Sequence, residues 1–318
     1  LKDLDDNIMS AMIAKDMGVG GTSGLGSVLY SLVSISHFLE MPEIMDYAEH
    51  AALLIKDQVE SDMAFDIIYG SAGAITGLVK FYNVTKDQKI LDIAKKCGDH
   101  LLENVKENHS GYRAWATLGN IIMGGFSHGV AGIAYSLLKL YSLTGDAKYI
   151  DAVKEAILYE NTLFSHNTAN WQDLRTSSDK PEHERFMTAW CQGAPGIALG
   201  RIGGLSALDT GQIRRDIEIA LDTTIKYPLI ERDHLCCGNL GIAEILFTSG
   251  LKLDRADLKE KGLFKASQTV CRAKQRGGFN CGIGGHFDPG FFQGISGAGY
   301  ELLRMTEPDI IPSVLLLE

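Results

Sequence analysis

No run of about 18 uninterrupted apolar residues occurs in this chain, so no membrane-inserting helix is expected. A basic field is missing as well. Asp+Glu number 40 against Lys+Arg 30, a formal net charge of -10, and no Lys/Arg cluster interrupts the excess, which argues against nucleic acid as a partner. The opening stretch "LKDLDDNIMSAM" is acidic where a signal peptide would be basic and then apolar, so secretion is not expected. Cysteine is sparse and irregularly spaced: six in 318 residues do not make a disulfide scaffold and suit a reducing, cytoplasmic setting. An initiator Met is absent too, and a chain opening on Leu1 reads as a piece of a longer protein. Strand signals are few, which leaves an all-α fold.

What is present begins with 45% apolar residues, enough for a sizeable core in one domain spanning 1–318. Gly-x-x-Gly recurs six times, at Gly21-Gly24, Gly70-Gly73, Gly129-Gly132, Gly193-Gly196, Gly238-Gly241 and Gly294-Gly297, with offsets of 49, 59, 64, 45 and 56 residues. Each copy except the fourth leads into a plainly apolar helical pattern such as "IAYSLLKLY"; the fourth, "IALGRIGGL", is broken by glycine. The segment from Tyr82 to Ala94 matches Tyr141 to Val153 at an offset of 59, with "EIMDYA" at Glu43 to Ala48 as a weaker copy. One unit therefore reads as Gly-x-x-Gly, a helix, a turn near Thr-x-Asp, and a second helix. The glycines themselves read as a packing device that lets helix starts crowd together. Their value is positional: in a closed ring of such units, the residues before each motif gather at one end.

Those residues include Asp66 in "FDIIY", His128 in "GGFSH", Cys191 in "MTAWCQ" and the pair Cys236 and Cys237 in "HLCC". Neighbouring alpha carbons lie about 3.8 Å apart, under the usual disulfide range, so Cys236 and Cys237 suit a metal better than each other. Zn2+ accepts thiolate ligands tetrahedrally, and a catalytic site offers three protein ligands with a fourth position open. Cys191, Cys236 and Cys237 supply three; the bland alternatives are ordinary buried thiols, or a closed site with His234 or His183 as fourth ligand. Three thiolates leave the ion with a net charge near -1, poor for splitting water but suited to holding an incoming thiolate. Alkylation or conjugate addition of sulfur follows. Addition to an α,β-unsaturated carbonyl generates an enolate that must be protonated, and His128 is the candidate general acid. Asp66 could orient that imidazole, take the incoming thiol's proton, or serve only as a polar cap. Cys97, Cys271 and Cys281 lie outside the pattern.

The stretches "SHGVAGIAYSL", "WCQGAPGIALGR", "CCGNLGIAEIL", "FFQGISGAGYELLRM" and the terminal "IPSVLLLE" closely resemble the lanthionine cyclase (LanC-like) family, above all the C-terminal cyclase domain of class II lanthipeptide synthetases. The resemblance runs from "GVGGTSGLGSVLYSL" to Glu318. It implies an α/α toroid of inner and outer helical layers, usually of seven helical pairs, with one zinc. It implies addition of precursor-peptide Cys thiols to dehydroalanine or dehydrobutyrine, forming thioether rings. Carried over residue by residue, it implies Cys191, Cys236 and Cys237 as zinc ligands, His128 as proton donor and Asp66 as the accompanying acid. The partners implied are a dehydrated precursor peptide and an N-terminal dehydratase region, none of which is in this sequence. Two positions depart from the family pattern: Met187 stands where an arginine is common, and Gln192 where His or Tyr is common.

Three other readings compete. A zinc thiol-alkylating transferase resembling prenyltransferase β-subunits would want an aromatic-lined tunnel, which 8% aromatic residues argue against. A non-catalytic thiol- or peptide-binding module on the same scaffold would differ in chemistry alone. A toroidal glycosidase would need paired carboxylates, and the repeat registers offer only Asp66.

Overall fold

A computed structural model describes residues 17–108, 111–177, 179–282 and 287–318. The opening "LKDLDDNIMSAM" lies outside the described residues, as does the side chain of His183.

The helices begin where the glycine motifs place them. In order they are α1 (Leu25–Leu39), α2 (Met45–Gln58), α3 (Ser71–Thr85), α4 (Gln88–Glu103), α5 (Val130–Thr144), α6 (Ala147–Asn161), α7 (Ala194–Gly203), α8 (Gly211–Lys226), α9 (Asn239–Lys252), α10 (Ala256–Arg276) and α11 (Ile295–Thr306). Odd-numbered helices follow the motifs, and the run Ser71–Val79 of α3 is buried at every position, as is Asn239–Gly250 of α9. Helices apolar all round belong inside, whereas α4 and α8 bury one face only and carry polar residues on the other. Among the described residues this makes five helical pairs and the single α11.

Five of the six motifs use their first glycine as the helix N-cap. The second glycine is forced by close approach. A β-carbon at Gly73 would sit 2.1 Å from Ile67 O, at Gly196 2.0 Å from Trp190 O, at Gly241 1.9 Å from Leu235 O and at Gly297 1.8 Å from Phe291 O. In each case the carbonyl belongs to the residue six positions back, so the entering loop folds over the helix's first turn. The first motif departs from this register. There α1 is capped by the second glycine, Gly24, with φ 147°, and the residue facing the carbonyl six positions back is Gly26.

The Thr-x-Asp turns repeat in detail. Thr85 Oγ1 accepts from Asp87 N at 3.3 Å and Asp87 Oδ1 from Lys89 N at 2.9 Å; Thr144, Asp146 and Lys148 make the same bonds at 3.3 and 3.2 Å. The two longest inter-motif offsets contain small antiparallel hairpins, Lys106–Glu107 with Arg113–Ala114 and Phe164–Ser165 with Asn170–Trp171, the minor exceptions to an all-helical chain.

The described residues cluster into two compact units. One takes in the described part of Leu1–Met123 with His128–Tyr159; the other takes in Gly124–Ser127 with the described part of Glu160–Leu316. Within the first, α3 packs against α1 and α5; within the second, α9 packs against α7 and α11. The second unit also buries charge. Arg201 Nη2 meets Glu160 Oε2 at 2.7 Å with Asp216 Oδ2 3.8 Å from its Nε, and Arg304 Nη1 meets Glu244 Oε2 at 2.7 Å. Glu301 is fully buried near Glu244; desolvation first, and then that carboxylate, raise its pKa well above the usual carboxylate range.

Candidate active site

In the first unit, Asp66 and His128 come together. Nδ1 of His128 lies 2.7 Å from Asp66 Oδ2, with Asp66 almost wholly buried and the His128 side chain 14% exposed. Asp66 Oδ1 accepts from Tyr69 N at 2.7 Å, and the Tyr69 ring stacks on the imidazole at 5.7 Å and 24°. With the carboxylate accepting at Nδ1, Nε2 is the ring nitrogen left to exchange a proton. The Asp66 loop is held by a second acid: Asp62 accepts from Ala64 N at 2.9 Å, Ser71 N at 2.7 Å and Ser71 Oγ at 2.5 Å. Phe65, between them, has φ 63°, a strained setting for a buried aromatic residue.

In the second unit, the structure brings together the three thiols that the sequence singles out. Cys191, Cys236 and Cys237 lie close enough that each acts on the ionisation of the other two. Both neighbours favour the thiolate of Cys237, so its pKa falls well below the usual thiol range against the opposing effect of burial, and His234 lowers it further. Cys236 moves the other way, raised by the Cys191 and Cys237 contacts and by burial. For Cys191 the Cys236 contact pulls downward, but the Cys237 contact and burial outweigh it and push the thiol up to about 12. His234 is buried with its Nε2 4.0 Å from Cys237 Sγ. No group of three or more His, Cys, Asp or Glu side chains among the described residues is already arranged as a metal-ligand set. The chemistry of the cysteines fits a thiophilic ion all the same: three sulfurs in mutual reach, one of them favoured as thiolate.

Buried side chains the sequence reading passed over fix the loops of this second unit. Asn170 Oδ1 accepts from Ala194 N at 2.7 Å and its Nδ2 donates to Met187 O at 3.1 Å, clamping both ends of the loop that carries Cys191. Asn239 does the same for the loop before Cys236, bonding Ile230 through both N and O and Asp233 through Oδ1. Glu160 Oε1 accepts from Gly125 N at 2.9 Å, three residues before His128, and Ser127 N donates to Cys191 O at 3.2 Å. The indole of Trp190 donates to Leu315 O at 3.0 Å and stacks on Phe292, whose carbonyl accepts from Cys236 N at 2.8 Å. Of these, Asn239 lies inside the motif "GNLG", and Ser127 and Trp190 lie in the stretches just before motifs, whereas Asn170 and Glu160 are marked by no motif.

Two arginines also approach the sulfurs. Arg175, paired with Asp173 at 2.7 Å, reaches Met187 Sδ at 3.5 Å, and Met187 Sδ lies 4.0 Å from Cys191 Sγ. A guanidinium thus arrives beside Met187 from a preceding loop, outside the family's usual position. Arg232 Nη1 lies 3.9 Å from Cys237 Sγ. Gln192 is buried, so close to Gly125 that a β-carbon there would fall 2.2 Å from Gln192 Oε1. A cleft of about 280 Å3 opens onto Cys237, with Met187, Thr188, Tyr227, Ile230 and Arg232 in its lining.

Comparisons with known proteins bear on the fold and the family. The chain is 25% identical over 254 residues to the lacticin 481/lactococcin biosynthesis protein LcnDR2 of Lactococcus lactis subsp. lactis, a match covering 76% of this chain but only 25% of that protein. Among solved structures, nisin cyclase superposes with a TM-score of 0.72 at 18% identity, over 99% of this chain and 84% of that one. An α-1,6-mannanase from Salegentibacter sp. HEL1_6 follows with a TM-score of 0.59 at 13% identity, covering 99% of each chain. At these identities the structural likeness carries the fold alone, an α/α toroid of paired helices. No helix among the described residues is long and apolar enough to cross a membrane. The sequence model described as "Lanthionine synthetase C-like protein" matches residues 1–316, and the chain belongs to that family.

Proposed function

We propose that this chain is a zinc-dependent lanthipeptide cyclase, joining cysteine thiols of a precursor peptide to dehydroalanine or dehydrobutyrine residues of the same peptide. The observation that carries the reading is the convergence of Cys191, Cys236 and Cys237, three sulfurs from two glycine motifs with no disulfide between them. A zinc ion held by these sulfurs would supply the positive charge that keeps an incoming peptide thiol deprotonated near neutral pH. Asp66 holds His128 through Nδ1, so Nε2 is the atom from which a proton can pass to the enolate carbon. Tyr69 stacks on that ring and limits its rotation.

The family membership and the lacticin 481 and nisin relatives favour this reading over a prenyl-type alkyltransferase or a passive thiol-binding module. The mannanase likeness does not extend to chemistry, because the motif registers supply one carboxylate, Asp66, where a glycosidase places two. Since the chain covers a quarter of its lacticin 481 relative, it would act beside a dehydratase region in a longer cytoplasmic synthetase. The test is direct. Purified protein is assayed for zinc and given a dehydrated peptide with a free cysteine; the expected product has lost its titratable thiol at unchanged mass. Thiols that persist in the presence of stoichiometric zinc would refute the reading.

A further inference from the structure

Arg232 sits beside the sulfur cluster on a backbone locked from several directions. Asn239 N donates to the carbonyl of Arg232 at 2.9 Å, while the Asn239 amide bonds Ile230 N at 2.9 Å, Ile230 O at 2.8 Å and Asp233 Oδ1 at 2.9 Å. Asp233, fully buried, accepts from Asn280 N at 2.9 Å and pairs with Arg276. The Arg232 side chain extends from this fixed point into the cleft at Cys237, where Nη1 lies 3.9 Å from the sulfur. No carboxylate among the described residues pairs with it. The acids in the same lining have cations already: Asp173 meets Arg175 at 2.7 Å and Glu184 faces Lys180 at 3.8 Å. An exposed arginine alone means little. One with an immobilised backbone, beside a proposed zinc ligand and with no carboxylate partner among the described residues, is set for an anion that arrives or forms with the substrate. The cleft, about 280 Å3, lies at the small end for a ligand site and would take one residue with its flanking peptide groups.

Resting on the cyclase reading above, we propose that Arg232 is a further catalytic residue: it binds the carbonyl oxygen of the dehydroamino acid and stabilises the negative charge that reaches that oxygen. The step balances within the peptide. The thiolate sulfur bonds to the β-carbon, the Cα=Cβ electron pair moves through the carbonyl to leave an enolate oxygen, and the α-carbon then takes a proton to replace the one the thiol gave up. No oxidant or co-reactant is needed. Guanidinium N–H donors strengthen as the oxygen gains charge, so the contact acts on the transition state more than on the bound substrate.

The experiment compares wild type, Arg232→Gln and Arg232→Lys on a dehydrated peptide with one cysteine, measuring zinc content, KM and kcat. The expected result is full zinc occupancy, little change in KM, a kcat lowered about 10²–10³-fold in Arg232→Gln and partly restored in Arg232→Lys. If wild type itself leaves the thiol untouched, the cyclase reading falls and this inference goes with it. If wild type cyclises and Arg232→Gln matches its kcat, the inference alone fails. It also fails if Arg232→Gln loses zinc, which would make the arginine a brace for the sulfurs, or if KM rises with kcat intact, which would make it a ground-state contact only.

Discussion

The His128–Asp66 pair and the three-sulfur cluster are both assembled before glycine motifs, yet they are held in opposite ways. His128 and Asp66 share one directed hydrogen bond of 2.7 Å, with a backbone amide and a stacked ring as further supports. The donor is fixed by its acceptor, and the free ring nitrogen is thereby chosen. Cys191, Cys236 and Cys237 instead act on one another's ionisation, which lowers the pKa of Cys237 and raises those of Cys191 and Cys236. A closed pair of this kind suits passing a proton; a set of sulfurs with charge to place suits holding a cation. The unit with the sulfurs also carries buried arginine–glutamate pairs, Arg201 with Glu160 and Arg304 with Glu244.

That contrast can be broken most decisively at the sulfurs. Cys236→Ala or Cys237→Ala should abolish zinc binding and turnover together, read by metal analysis and by peptide thiol that remains open to alkylation. His128→Ala should keep its zinc and slow addition by about 10²–10⁴-fold; a metal-free His128→Ala protein would make the imidazole a ligand and erase the distinction. Next in size, Glu160→Ala leaves the Arg201 guanidinium buried without its nearest carboxylate, and should cost about 3–5 kcal/mol in chemical denaturation. Because Glu160 also holds Gly125, activity should fall with it.

Glu301 provides a pH-dependent test of the same unit. Its folded pKa is raised, so the folded state binds the proton more tightly; the stability this contributes is complete below the unfolded pKa and is lost as pH rises through the folded value. Glu301→Gln should therefore match wild type in acid and gain on it by about 1 kcal/mol per pH unit across that window, measured as the difference in denaturant midpoint. The smallest effect belongs to Trp190→Phe. It keeps the stack on Phe292 but removes the indole bond to Leu315 O, for about 1 kcal/mol, and thermal unfolding should register it with zinc still bound.

Much of the fold was legible because glycine at a helix start is a backbone requirement, visible in any sequence that meets it. The six motifs announced the inner helices, the 59-residue offset anticipated matching Thr-x-Asp turns, and glycine-broken "IALGRIGGL" still formed α7, cut short at Gly203. The first motif misled by a few positions, since "GTSG" lies in the loop ahead of α1 and Gly26 does the packing. In the candidate site, the sulfurs, His128 and Asp66 stood out through residue type and register together. Asp62, Glu160 and Asn170 did not, because a side chain that holds a loop from elsewhere in the chain has no fixed spacing from what it holds. Arg175 and Arg232 were hidden for the same reason, each reaching a sulfur through a long side chain from a position no motif marks.

Counted back from the second glycine, Cys191 and Cys236 both stand five residues away, Cys237 and His128 four, and Asp66 and His234 seven. At Gly73, Gly196, Gly241 and Gly297 the tightest approach is to a main-chain carbonyl six residues upstream. Each of these loops is consequently a socket whose tightest contact is made by the main chain. A sulfur, an imidazole or a carboxylate can be exchanged between equivalent sockets by point substitution, leaving the frame untouched, so chemistry on this scaffold can be rewritten one side chain at a time.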